Sequence, residues 1–316
     1  MDALVKTNLV RRQVAPMQSR LLRHILLLLP FVFAVEPVFA QPTPPGADEL
    51  QARIDAAALA HASDERYKGL SPKDRKGLAE FVAGNILFAA LHELGHAVVS
   101  DMGLPVLGKE EDAADSFAAT RLIIAGSGFS DRVLTEAAKG WFMTNRRDKK
   151  EGDPVPPYDA HGLDLVRAYQ IVCFMVGSNE DKFKNLADET KLPKDRQDSC
   201  TRDYNKAANS WGLVLKPHLR TPDQPKTKID VVYGEAKGNL KGIAEAARSI
   251  LLLETVAQHL ADEFVWPAPF VLEMQSCGAP NAAWDPPTRQ LYLCYELAED
   301  FAELYRSYGV ARADRR

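Results

Sequence analysis

SPKDRKGLAEFVAGNILFAALHELGHAVVS, residues 71–100, is the stretch on which the fold turns. Ser71 can accept a hydrogen bond from a helix N-terminus, and Pro72 suits the first helical position, where its missing N–H costs nothing. Asp74 adds negative charge to the first turn. Leu78, Phe81, Val82, Ile86, Leu87, Ala90, Leu91 and Leu94 recur at helical spacing, and the run is apolar enough to be buried. The pattern predicts one long core helix that breaks near Gly103-Leu104-Pro105. Among the polar residues that interrupt it are His92, Glu93 and His96.

Around this helix the chain reads as α+β and mainly helical, with a small antiparallel sheet from its C-terminal part. Helices are expected over Ala47 to His61, from about Lys109 to Gly126, over Arg132 to Met143, Leu163 to Val176, Leu192 to Asn209, Leu240 to Phe264 and Glu296 to Tyr308. Arg146 to Tyr158, charged and with three prolines, reads as a surface loop. Ile229 to Tyr233 and Phe270 to Met274 are β-prone. Ala282 to Trp284 and Gln290 to Tyr295 flank Asp285-Pro286-Pro287-Thr288 as a hairpin.

The N-terminus has a different character. Lys6, Arg11, Arg12, Arg20 and Arg23 precede the apolar run Ile25 to Ala34, and Val38-Phe39-Ala40 has small residues at a signal-peptidase spacing. Residues 1–40 are therefore expected to be a signal peptide, with cleavage or retention as an anchor left open. The run is short of the roughly 20 apolar residues of a membrane span, so no stable span is expected after cleavage. Residues 41–70 are expected to be a linker and N-terminal helix, and 71–316 the main domain. Losing five basic and two acidic residues takes the formal charge from −4 to −7. Nothing in that balance points to nucleic acid.

Cys173, Cys200, Cys277 and Cys294 all lie beyond the signal segment. An even count in an exported chain suggests two disulfides. Of the three possible pairings, proximity favours Cys173–Cys200 and Cys277–Cys294. No pair has the close spacing of a zinc knuckle. The expected location is periplasmic or secreted.

His92 and His96, four apart on a helix, project from one face and can bind one zinc. Glu93, about 100° further round, can reach a water activated there without being a ligand. With 7 His and 43 acidic residues, His-acid-x-x-His arises by chance about 0.02 times per chain. The alternative is a pair of surface histidines. The apolar neighbours oppose it, because buried polar groups need partners. Gly95 removes side-chain bulk where another element could pack closely. A catalytic zinc takes a third protein ligand. Glu111, at the start of the next helix, is the first candidate, Glu110 the rival and Asp112 the weaker one. Asp115, four residues after Glu111, can hold the outer nitrogen of a zinc histidine. The competing reading of this acidic cluster is a helix N-terminus answering its own dipole.

At these residues the chain resembles the gluzincin branch of zinc metallopeptidases: His92-Glu93-x-x-His96 followed by Glu111-x-x-Ala114-Asp115. It is further similar to a bacterial metallopeptidase-like family without assigned substrates. That similarity runs through Leu104 to Asp115, His161 to Arg167, and Cys277-Gly278 with Cys294 to Leu297. The resemblance implies one Zn2+ held by His92, His96 and Glu111, with Glu93 as general base and a peptide or protein as substrate. His161, opening a helix after the loop, is the first candidate to stabilise an oxyanion, ahead of His218, Tyr158, Tyr169 and Tyr233. Two rival readings stay open: an amidohydrolase acting on a non-peptide envelope substrate, and a non-catalytic envelope protein that keeps zinc for structure.

Overall fold

The structure is a computed structural model, described here over residues 45–60, 64–152, 155–156 and 158–310. The signal-peptide reading of residues 1–40 lies outside the described residues.

Helix α1 (Ala47–Ala60) leads through a short 3-10 turn to α2 (Pro72–Met102), the long core helix. Its start follows the sequence signal: Ser71 Oγ accepts from the Asp74 N–H at 3.1 Å. It ends at Gly103, whose φ of 62° lets the chain turn away in the left-handed region that glycine tolerates. By length and composition α2 could cross a membrane. Here it is a core helix, packed against α1, α3 (Glu110–Ala125), α4 (Gly128–Glu151) and the C-terminal elements. Phe81, Leu94, Ala97 and Val98 are fully buried.

The short connection after Gly103 sends α3 back antiparallel to α2, so that residue 92 meets 115 and residue 96 meets 110. The approach is close at Gly95. A Cβ there would stand 2.7 Å from the Ala114 Cα, which no ordinary contact permits. Gly95 therefore sets how near the two helices that carry the motif can come.

Helices α5 (Asp164–Ser178), α6 (Glu180–Glu189) and α7 (Lys194–Leu215) pack behind this pair. The Cys173–Cys200 disulfide ties α5 to α7, and Cys277–Cys294 is the second bridge. Both pairings agree with the sequence reading. Each closes a modest loop and contributes a few kcal/mol, about 3 on the chain-entropy estimate.

Strand β1 (Ile229–Tyr233) is followed by α8 (Lys241–Ile250) and α9 (Leu252–Glu263), then β2 (Phe270–Gln275), β3 (Ala282–Asp285), β4 (Gln290–Cys294) and α10 (Tyr295–Leu304). The sheet order is β1-β2-β4-β3. The α+β class holds, but the sheet is mixed where an antiparallel one was expected. Only β3–β4 is antiparallel, whereas β1–β2 and β2–β4 are parallel. Two helices form the crossover between β1 and β2, as a parallel pair requires. From β2 the chain goes out to the edge as β3 and returns as β4, and two reversals restore the direction.

Local readings also shift. The expected Leu240–Phe264 helix is two helices, broken at Leu251 with φ 61°. The charged stretch after Arg146 stays helical to Glu151, where Arg147 pairs with Asp300 and Gly152 caps the end. Helix α6 has no counterpart in the sequence reading.

Candidate metal centre

The site is built where α2 and α3 lie closest. His92 and His96 stack one turn apart, with ring centroids 5.0 Å apart and planes at 80°. Their Nε2 atoms are 3.3 Å apart. From α3, Glu111 places Oε2 3.1 Å from His92 Nε2 and Oε1 3.6 Å from His96 Nε2. Ligand atoms each about 2.0–2.1 Å from one zinc at tetrahedral angles stand roughly 3.3–3.4 Å from one another. The three side chains are thus close enough to share one metal ion, with one Glu111 oxygen turned to each histidine, and two imidazoles with one carboxylate are a donor set that zinc accepts.

A fourth group arrives from the segment before α5. His161 Nε2 lies 3.2 Å from Glu111 Oε2, and the ligand atoms of His92, Glu111 and His161 are all within 4.8 Å of one another. His161 is half exposed. Its backbone N–H donates to Asp159 Oδ1 at 2.9 Å, and Lys109 Nζ donates to the Asp159 carbonyl at 2.8 Å. These bonds join the His161 segment to the residue that precedes α3.

The outer nitrogens of the two histidines meet different partners. His92 Nδ1 faces Asp115 Oδ1 at 2.8 Å. Asp115 is itself clamped by Arg167 of α5, Nε to Oδ2 at 2.6 Å and a terminal nitrogen to Oδ1 at 2.7 Å. The Arg167 guanidinium lies over the Trp141 ring, 3.7 Å from its centroid. His96 Nδ1 faces Glu110 Oε1 at 2.7 Å, in contact with solvent. Glu110, the rival ligand in the sequence, therefore sits behind His96 while Glu111 faces both inner nitrogens.

These contacts set the proton affinities. Burial pulls the His92 pKa down, but its hydrogen bonds to Asp115 and Glu111 outweigh that and raise it to about 9. His96 is raised by Glu111 and Glu110 against its own burial. Glu111 is held well below the usual carboxylate range by its bonds to His92 and His96. In Asp115, burial is overcome by His92 and Arg167, and the pKa falls. Carboxylates thus surround the two imidazoles and raise the proton affinity of both. The same field favours a cation there.

Glu93 points elsewhere. Its Oε2 accepts from the Trp284 backbone N–H of β3 at 3.1 Å, and burial raises its pKa. Because β3 is the edge strand and the Trp284 N–H is directed at Glu93, the edge turned away from β4 faces the motif. Trp284 Nε1 also donates to Ser100 Oγ at 3.0 Å, and Arg289 pairs with Asp101 at 2.7 Å, fastening the hairpin to α2. The C-terminal hairpin thus lies beside the motif.

The structure therefore brings together His92, His96, Glu111, Asp115 and His161, with Glu93 alongside. Tyr169 and Tyr233 bond elsewhere, to the Thr190 carbonyl and to Glu254. Sequence reasoning missed Arg167 and Trp141. An arginine inside the apolar Leu163–Val176 run was the available signal, since a buried guanidinium needs a carboxylate.

The family model described as "Putative metallopeptidase" matches residues 55–215 and 235–315. The chain belongs to that family, and membership agrees with a metal at this cluster. No curated protein and no solved structure matches the chain.

Proposed function

We propose that the protein is a zinc-dependent peptidase exported to the periplasm or beyond, using residues 1–40 as its signal peptide. The observation that carries this reading is the convergence of His92 Nε2, His96 Nε2 and the Glu111 carboxylate at 3.1–3.6 Å, beside a half-buried glutamate bonded to the edge strand β3. The two disulfides fit an oxidising compartment.

His92, His96 and Glu111 would hold the zinc. Bound there, zinc supplies Lewis acidity, lowering the pKa of water toward about 7 and polarising a carbonyl. Glu93 takes the proton from the attacking water and returns it to the leaving amine. Its burial suits the task, because a raised pKa makes the carboxylate a better proton acceptor near neutral pH. His161 stands at the mouth of the site, where a ring N–H can stabilise charge developing on the carbonyl oxygen. A peptide lies along β3 as an added strand, bonded main chain to main chain.

One observation favours a second reading. His161 at 3.2 Å from Glu111 could complete a four-ligand site, closed and structural, without room for chemistry. The test is zinc content and peptide hydrolysis in His161→Ala. Unchanged zinc with depressed hydrolysis supports the peptidase. Loss of zinc supports the structural site. Hydrolysis confined to non-peptide amides would move the substrate assignment while leaving the residue roles in place.

A further inference from the structure

Behind the centre runs a series of side chains drawn from four helices: half-buried Trp141 of α4, then buried Arg167 of α5, Asp115 of α3 and His92 of α2. Arg167, Asp115 and His92 are only 7%, 5% and 6% exposed. We propose that Arg167 is a positioning residue for the metal, fixing the Asp115 carboxylate so that His92 presents Nε2 to the site. This rests on the reading of the cluster as a zinc centre.

The geometry distinguishes this role from a plain ion pair. Arg167 uses two different nitrogens on two different oxygens, 2.6 Å to Oδ2 and 2.7 Å to Oδ1. A fork on both oxygens fixes the plane of the carboxylate as well as its place. Oδ1 is shared: it accepts from Arg167 and faces His92 Nδ1 at 2.8 Å. The direction of that oxygen therefore orients the imidazole, and the other ring nitrogen is aimed at Glu111 and His96. Trp141 limits the remaining freedom, since its ring covers one side of the guanidinium, with Cζ 3.7 Å from the ring centroid.

The charge of Arg167 pairs with the buried Asp115 carboxylate, but it gives no direct help to a metal cation. A terminal nitrogen of Arg167 lies 3.5 Å from His92 Nδ1, so its positive charge by itself opposes a cation at the centre. Orientation and charge thus predict opposite results when Arg167 is removed. If orientation dominates, metal binding weakens; if charge dominates, it tightens. Lysine keeps the charge but offers a point where arginine offers a fork, so it should not restore the function.

The experiment is zinc affinity, measured by competition with a chromophoric chelator on the purified mature chain. The variants are Arg167→Met, Arg167→Lys, Asp115→Asn and the Arg167→Met/Asp115→Asn double. Arg167→Met and Arg167→Lys should each bind zinc roughly 10–100-fold more weakly, the range common for groups behind a metal ligand. The double variant should be no weaker than Asp115→Asn, because one residue acts through the other. Cobalt loaded in place of zinc should show a changed visible spectrum in Arg167→Lys, a signature that loss of stability alone would not give. Affinity in Arg167→Lys equal to or above wild type overturns the proposal, as does full multiplication of the two losses in the double. Should Arg167→Met fail to fold, Arg167→Lys carries the test, since it keeps the charge and the stem. A folded wild-type chain that binds no zinc overturns the metal reading itself, a result distinct from unchanged affinity in the variants.

Discussion

The two histidines of the motif are one helical turn apart and live in different surroundings. His92 is sealed in, its outer nitrogen held by Asp115, Arg167 and Trp141 in series. His96 is partly open, and its outer nitrogen meets Glu110, which is half exposed. The inner arm is rigid because His92, Asp115 and Arg167 are buried and Asp115 and Arg167 are joined at two points. The outer arm is a contact that water can replace at little cost. The sequence motif treats the histidines as equivalent, whereas the fold makes one a fixed post and the other an adjustable one.

The strongest way to break this comparison is to remove the shared functions. Glu93→Gln should keep about one zinc per chain and lose hydrolysis by at least roughly 1,000-fold, while Glu111→Gln should lose zinc. Metal analysis beside a peptide-cleavage assay decides, and the reverse pattern means the two roles are exchanged. His92→Ala and His96→Ala should both abolish stoichiometric zinc. Normal zinc content in both would remove the metal assignment.

Next in size is Gly95→Ala. The new Cβ meets backbone at 2.7 Å, so α2 and α3 must part. Overpacking of this kind costs about 1–3 kcal/mol or more, which should lower Tm by roughly 2–6 °C and weaken zinc binding through both histidines. A Tm within a degree of wild type would show that the helices have slack.

The arms themselves are compared by Asp115→Asn and Glu110→Gln. The first should weaken zinc binding about 10–100-fold, the second less than about 3-fold. Equal losses in chelator competition would mean the two histidines are held alike.

The smallest effect concerns Asp164, which opens α5, the helix that carries Arg167. Burial and the nearby Asp148 raise its pKa to about 6 from 3.8. The folded state binds this proton more tightly than the unfolded one, so the contribution to stability is present below about 3.8 and lost as pH rises through 6. Asp164→Asn removes that loss. Its Tm should exceed wild type by a few degrees at pH 8 and match it near pH 3.5. A gain at both values would separate the effect from titration.

Much of this was legible in the sequence because it is local. The Ser71 cap, the His92–His96 pair, the Glu111–Asp115 pair and both disulfide pairings all follow from short spacings. Glu111 was already the first candidate ahead of Glu110, but spacing alone left the rival open, because the choice depends on how α3 is rotated against α2. Arg167 was hidden for another reason: its partner is 52 residues away, and only packing joins them. The strand directions failed similarly, since a β-prone segment carries no mark of whether its neighbour was reached by a hairpin or by two helices. Leu251 breaks α8 from α9 in a conformation that its residue type does not announce.

The contact at Gly95 bears on which sequence changes this fold can survive. The obstacle to a side chain there is the Ala114 Cα at 2.7 Å, ahead of its Cβ at 3.0 Å. Trimming Ala114 to glycine would leave the nearer atom in place. A lesion at position 95 therefore has no second-site suppressor at 114. Rescue would need the whole of α3 to slide, which would carry Glu111 and Asp115 away from the histidines. Within this architecture the pentapeptide spells His-Glu-x-Gly-His, and a drift at its fourth letter cannot be forgiven by its nearest neighbour.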